Sequence, residues 1–181
     1  MWYNRKNRRR FCKSKRGGAE ETVKVTVIAP GTLSERAYAE AFEEYRKRFR
    51  AFGAFECIEL KEKRLGDRPS PAQIAAALFA EGEDILSRVP PRSFVFAMAV
   101  EGKKLSSEGF AELLDRRMSG GAGEFCFIVG SSYGLSPEVK SRADFLLSMS
   151  DMTFPHQPAR VMLAEQIYRA AQILAGGKYH K

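Results

Sequence analysis

Phe94-Val95-Phe96-Ala97-Met98-Ala99-Val100 is apolar at all seven positions. A strand with one face in water alternates, so an unbroken apolar run predicts a central strand covered on both faces, as in a parallel sheet between helices. Working outward, Thr22 to Ala29 is β-branched and alternating and ends at Pro30-Gly31, which reads as a first strand. Phe55 to Leu60, Phe125 to Val129 and Phe145 to Met149 read as three more. Between them lie amphipathic stretches: Glu35 to Arg50 with Ser34 as its cap, Pro71 to about Val89 behind Ser70, and Ser107 to Met118. A short helix opened by Ser136-Pro137 and a last one from Pro158 to about Ala175 complete the series. Strands alternating with helices predict an α/β fold with a mainly parallel sheet flanked by helices.

The chain has 181 residues, enough for one substantial domain, and a net charge of +8. That charge is local. Eight basic side chains and no acidic one fall within residues 1–16, and the remaining 22 Lys and Arg balance 22 Asp and Glu. Residues 1–20 therefore read as a disordered basic arm suited to a polyanion, and residues 21–181 as a single domain; residues 17–181 together are formally neutral. No apolar run approaches the roughly 20 residues that span a bilayer. Cys12, Cys57 and Cys126 show no paired spacing, so neither a disulfide framework nor a zinc site is expected, and a reducing cytoplasm fits.

Tyr38, Phe42, Tyr45 and Phe49 recur at helical spacing, which reads as a core face rather than a base-stacking platform. Gly120-Gly121-Ala122-Gly123 follows a helix and precedes a strand, the wrong order for a phosphate-binding turn, and reads as a helix cap and loop. Gly130-Ser131-Ser132-Tyr133-Gly134 matches the nucleophile-elbow pattern of serine hydrolases, with Ser132 as nucleophile and Asp144 or Asp151 and His156 downstream. The next helix signal, Ser136-Pro137, lies four or five residues too late for an elbow, so a hydrolase is the minor alternative. A third reading is a non-catalytic RNA- or ribosome-binding protein. The segment from Ser148 to Arg160 places a loop of small and polar residues, with His156 between prolines, after the last strand. Ligands of open α/β sheets bind beyond the carboxyl ends of the strands.

The run Met152-Thr153-Phe154-Pro155-His156-Gln157 is followed by Arg160-Val161, by Glu165-Gln166-Ile167-Tyr168-Arg169-Ala170, and by the terminal Tyr179-His180-Lys181. Together these resemble the C-terminal signature of the RlmH family of SPOUT-class methyltransferases. The likeness is close over residues 125–181. It is looser but colinear back to Val23, through Tyr45-Arg46-Lys47-Arg48-Phe49 and Gly102-Lys103. The resemblance implies a SPOUT fold with a C-terminal trefoil knot, and S-adenosylmethionine (SAM) as cofactor, bent within the knotted loops. It also implies a homodimer that methylates N3 of a pseudouridine in 23S rRNA of the large ribosomal subunit, with no metal.

Carried over by position, the cofactor contacts would be Met98, Gly130, Met149, Ser150, Asp151, Met152, Thr153 and Phe154. His156 and His180 would serve as base or hydrogen-bonding partner. Arg160 and Arg169 would meet phosphate or the cofactor carboxylate, and Tyr179 the extruded base. Two positions depart from the family pattern: Ser131 stands where a second glycine is usual, and Ala99 near a usual aspartate. A left-handed backbone at Ser131 would cost about 1–2 kcal/mol. The glycines at 176 and 177 predict a mobile tail that closes over the target nucleotide when the ribosome binds.

Overall fold

The computed structural model describes residues 14–16 and 19–181, with side chains from Thr22 onward. Strands β1 (Ser14–Arg16) and β2 (Ala19–Glu21) pair antiparallel; the rest of the basic arm, and the disorder expected of it, lie outside the described residues. The main sheet contains β3 (Val23–Pro30), β4 (Gly53–Leu60), β5 (Phe94–Lys104), β6 (Glu124–Ile128) and β7 (Phe145–Ser148). Its order is β4-β3-β6-β5-β7 and every pairing is parallel. The connection from β6 to β7 must therefore pass over β5.

Helices α1 (Arg36–Phe49), α3 (Ser107–Ser119) and α5 (His156–Ala175) cover one face, and α2 (Pro71–Leu86) and α4 (Pro137–Arg142) cover the other. The apolar runs divide between the two faces by strand alternation. Phe96, Phe125 and Phe127 join the α1/α3/α5 core with Phe42, Phe110 and Leu163. Val95, Ala97, Cys126 and Ile128 join the α2/α4 core with Ile85 and Val139. Phe96 and Phe127 stack with centroids 4.7 Å apart on neighbouring strands. Each such fully buried side chain contributes roughly 1.5–3 kcal/mol over exposure. On α1, Phe42 and Phe49 are core residues, whereas Tyr38 at the helix start is exposed.

Side-chain caps fix most helix starts. At α2, Ser70 Oγ accepts from the Gln73 amide and Gln73 Oε1 accepts from the Ser70 amide, a reciprocal capping box. Ser106 and Ser136 cap α3 and α4 in the simpler way. Two starts differ from expectation. Ser34 does not cap α1: Glu35 is the N-cap, its amide donates to Gln157 Oε1 at 3.1 Å, and Gln157 Nε2 donates to Ser34 Oγ at 3.0 Å. A carboxamide from α5 thus replaces the local cap. Helix α5 itself begins at His156, two residues before Pro158. Proline is tolerated there because first-turn amides have no intrahelical acceptor to lose.

Strand β5 is also longer than expected. Both Met98 and Lys103 pair with Leu147, so residues 99–102 are extruded as a bulge between them. Gly102 closes this pinch: a Cβ there would lie 2.7 Å from the Leu146 carbonyl carbon. Pairing resumes at Lys103 and Lys104, opposite Leu147 and Ser148.

Candidate cofactor cavity

The carboxyl ends of β5, β6 and β7 open into a cavity of about 810 Å³, at the upper end of the 300–1,000 Å³ usual for small-molecule sites. Its floor is apolar, with Met98, Val129, Leu135 and Leu147. The β5 bulge forms one wall through Ala99, Val100 and Glu101. The turn after β6 forms a second, and the segment after β7, through Met149, Ser150, Met152, Thr153 and Phe154, a third. His156 enters from the first turn of α5, half-buried.

The post-β6 turn is tight. The Gly134 amide donates to Ser131 O at 2.9 Å, and Gly134 carries the positive φ of +90°. Gly130 must lack a side chain, because a Cβ would sit 2.4 Å from Gly134 O. Ser131 does not have positive φ, so the strain considered for a serine there does not arise. Ser132 is exposed, and α4 begins five residues later, at Pro137. The carboxylates expected of a hydrolase triad are engaged elsewhere. Asp144 Oδ2 accepts from the Val95 amide at 2.8 Å, and Asp151 pairs with Lys104 at 2.6 Å. No nucleophile elbow is assembled.

Seven of the eight residues expected to meet the cofactor line the cavity: Met98, Gly130, Met149, Ser150, Met152, Thr153 and Phe154. Asp151 does not; it is turned outward to Lys104 with its side chain 86% exposed. Met152 is 72% exposed at the lip.

Arg160 lies outside the cavity wall. Its side chain has no exposed surface, its Nη1 donates to Glu59 Oε1 at 3.2 Å, and its Nη2 donates to Pro30 O and to Gly31 O. Burial pulls its guanidinium below the ordinary value, with Glu59 among the groups opposing that shift. In this placement Arg160 is engaged by Glu59 and two carbonyls rather than turned to the cavity, and it clamps α5 to the ends of β3 and β4.

Tyr179 and His180 form a second cluster, apart from the cavity lining of their own chain. Tyr179 OH donates to Glu165 Oε1 at 3.0 Å, its ring packs on Tyr168 at 4.9 Å, and Arg169 lies over it at 4.8 Å. Burial, first, and hydrogen bonding raise the Tyr179 phenol. His180 Nε2 lies 2.7 Å from Glu108 Oε1 and its Nδ1 lies 3.3 Å from Arg169. The Glu108 carboxyl is pushed down to about 2, first by a backbone hydrogen bond at the α3 start and then by His180. The tail is therefore docked on α3 and α5. Gly176 supplies a left-handed cap at φ +67°, and Gly177 packs where a Cβ would meet the Gln172 side chain, so this glycine pair ends a helix rather than loosening a joint.

Three cavity residues were not among the candidate site residues read from the sequence, although Tyr133 lies within the Gly130–Gly134 motif. Glu101 and Lys140 form a 2.6 Å ion pair across the β5 bulge and α4, and Tyr133 is 45% exposed on the post-β6 turn. Among the described residues, no group of three or more His, Cys, Asp or Glu is placed to hold a metal, and no helix is long and apolar enough to cross a membrane.

A parallel α/β sheet with a cavity at the carboxyl ends of β5, β6 and β7, walled by the segment before the last helix, places a small-molecule site where open α/β sheets bind their ligands. The model of a family described as "Predicted SPOUT methyltransferase" matches residues 23–180, and the chain belongs to that family. Among solved structures, the chain is similar to a probable methyltransferase from Bordetella pertussis. The identity is 14% and the TM-score 0.50, covering 93% of this chain and 99% of that one. It is similar to the tRNA (m1G37) methyltransferase of Aquifex aeolicus at 14% identity and TM-score 0.50, covering 87% of this chain and 73% of that one. It also matches a Legionella pneumophila putative methyltransferase solved with bound SAM, at 13% identity and TM-score 0.45, over 82% and 66% of the two chains. The protein is a SPOUT-class methyltransferase.

Proposed function

We propose that the protein transfers the methyl group of SAM to N3 of a pseudouridine in 23S rRNA of the large ribosomal subunit, the activity its resemblance to the RlmH family implies. The observation that carries this reading is the cavity itself: seven positions inferred from the resemblance converge on one wall system beside His156. The residues fit the cofactor. Met98, Met152 and Phe154 supply apolar surface for an adenine ring, and the close approach at Gly130 leaves backbone in the wall.

Bound SAM supplies an electrophilic methyl group, so the protein's own task is alignment and proton management. His156, on the cavity side of α5, takes or shares the N3 proton of the base. Gln157 and Arg160, on the same helix turns, hold that histidine in place through α1 and through the β3 and β4 ends. Because Tyr179 and His180 dock away from the cavity of their own chain, we assign the enzyme a homodimer in which the tail of one protomer serves the site of its partner. The RNA substrate finds support in the β4–α2 loop. Lys61, Arg64 and Arg68 are exposed there, and Lys63 and Arg64 line a hollow of about 250 Å³ whose far wall, Ser131 to Tyr133, also bounds the cofactor cavity. Glu62 and Glu81 share that hollow, so the cations offered to RNA are the exposed Lys61, Arg64 and Arg68 of the loop, one turn away from the cofactor cavity.

The test is transfer of labelled methyl from SAM to hypomethylated large subunits, with SAM binding measured in parallel. His156→Ala is expected to slow transfer at least tenfold while SAM affinity stays within twofold. A protein that binds no SAM, or an unchanged rate in the variant, contradicts the reading.

A further inference from the structure

The cavity wall is apolar or uncharged apart from His156 and one ion pair, Glu101 with Lys140 at 2.6 Å. The two partners come from different elements. Glu101 stands on the extruded segment of β5, and Lys140 on α4. Their side chains are 50% and 34% exposed, so the pair sits at the rim, where it contributes little to stability and keeps access to water. A ligand entering the cavity meets one fixed anion and one fixed cation next to each other, against an otherwise neutral lining.

Resting on the methyltransferase reading above, we propose that the Glu101–Lys140 pair is the subsite for the amino-acid end of the cofactor. The ligand's α-ammonium turns to Glu101 and its α-carboxylate to Lys140. That end is a zwitterion whose two charges have the same spacing class as the side-chain pair: adjacent, opposite, and each a hydrogen-bonding group. Docking them head to tail gives four alternating charges, so neither partner of the original pair is left uncompensated. The Lys140 ammonium already holds the Glu101 carboxyl below the usual carboxylate range, so an anion is in place to receive the ammonium. The bulge gains a purpose from this. Residues 99–102 leave the sheet in order to carry Glu101 over the cavity, and Gly102 lets the strand return to its pairing.

The subsite is separable from the rest of the cavity by ligand chemistry. S-Adenosylhomocysteine carries the zwitterion; 5′-methylthioadenosine has the same nucleoside and thioether without it; a decarboxylated S-adenosyl ligand keeps the ammonium alone. Calorimetric affinities of the full chain are measured for all three, in the native protein and in Lys140→Ala and Glu101→Gln. Lys140→Ala is expected to weaken S-adenosylhomocysteine about tenfold while methylthioadenosine and the decarboxylated ligand stay within twofold. Glu101→Gln is expected to weaken both ammonium-bearing ligands and spare methylthioadenosine. Retained methylthioadenosine affinity also shows that each variant is folded. Equal losses for all three ligands, or no loss for any, overturn the assignment of the zwitterion to this pair. Native protein that binds none of the three overturns the cofactor reading on which it rests.

Discussion

Arg160 carries a positive charge with no exposed surface, a setting that costs several kcal/mol unless the charge is met on all sides. Glu59 and the carbonyls of Pro30 and Gly31 meet Nη1 and Nη2, while Nε finds no partner. Arg160→Met is therefore expected to lower unfolding free energy by about 3 kcal/mol, read from denaturant midpoints, because it takes the donor from the Pro30 and Gly31 carbonyls and the cation from Glu59, which keeps only the Leu33 amide on Oε1. Arg160→Lys should lose less. An unchanged midpoint would show that the clamp contributes nothing. Glu108 makes a second prediction at this scale. Its carboxyl is held at about 2, below its ordinary 4.5, so any stability it adds is present above pH 4.5 and lost as pH falls from there toward 2. Removing residues 178–181 deletes only the His180 part of that shift, since the backbone hydrogen bond comes first. The Glu108 midpoint, followed by carboxyl carbon NMR, should rise only part of the way to 4.5. A full return would mean the tail alone set it.

Among the elements, β5 shows what the sequence discloses and what it hides. Seven apolar residues in a row identify a strand covered on both faces, and Phe96 and Ala97 do lie in opposite cores. Nothing local reveals that the strand leaves its partner at Met98 and rejoins it at Lys103, because that pinch is defined by Leu147, more than forty residues later. The same holds for the α1 start. Ser34 is a sound cap by local chemistry, but Gln157 from α5 reaches it first. Local signals therefore located the elements, while contacts across the chain set their ends. Gly102→Ala tests the pinch. Its Cβ would press on Leu146 and Leu147 backbone, so the variant should lose about 2 kcal/mol or more and bind S-adenosylhomocysteine at least tenfold more weakly. Gly123→Ala, with open space around it, should do neither. Equal behaviour of the two would contradict the role given to the bulge.

For the molecule as a whole, the resemblance at residues 152–181 led to the SPOUT class and to the cavity, but not to how its residues divide between two places. His156 lines the cavity, whereas Tyr179 and His180 dock on α3 and α5 and Arg160 stays within the fold. A linear motif cannot show that separation. Residues 17–181 balance in formal charge, so the RNA binding proposed above calls for a local basic surface or for the basic arm. Replacing Lys61, Arg64 and Arg68 by serine should flatten the dependence of RNA affinity on log salt by roughly 0.7–0.9 for each phosphate no longer neutralised, leaving SAM affinity unchanged. An unaltered salt slope would move the RNA to another face. The central claim is tested most directly by incubating hypomethylated large ribosomal subunits with the protein and SAM, then mapping the rRNA by mass spectrometry. The account predicts one new methyl group, on N3 of a pseudouridine, absent when SAM is omitted and strongly reduced with His156→Ala. A methyl group on another base or on ribose, or none despite SAM binding, would contradict it.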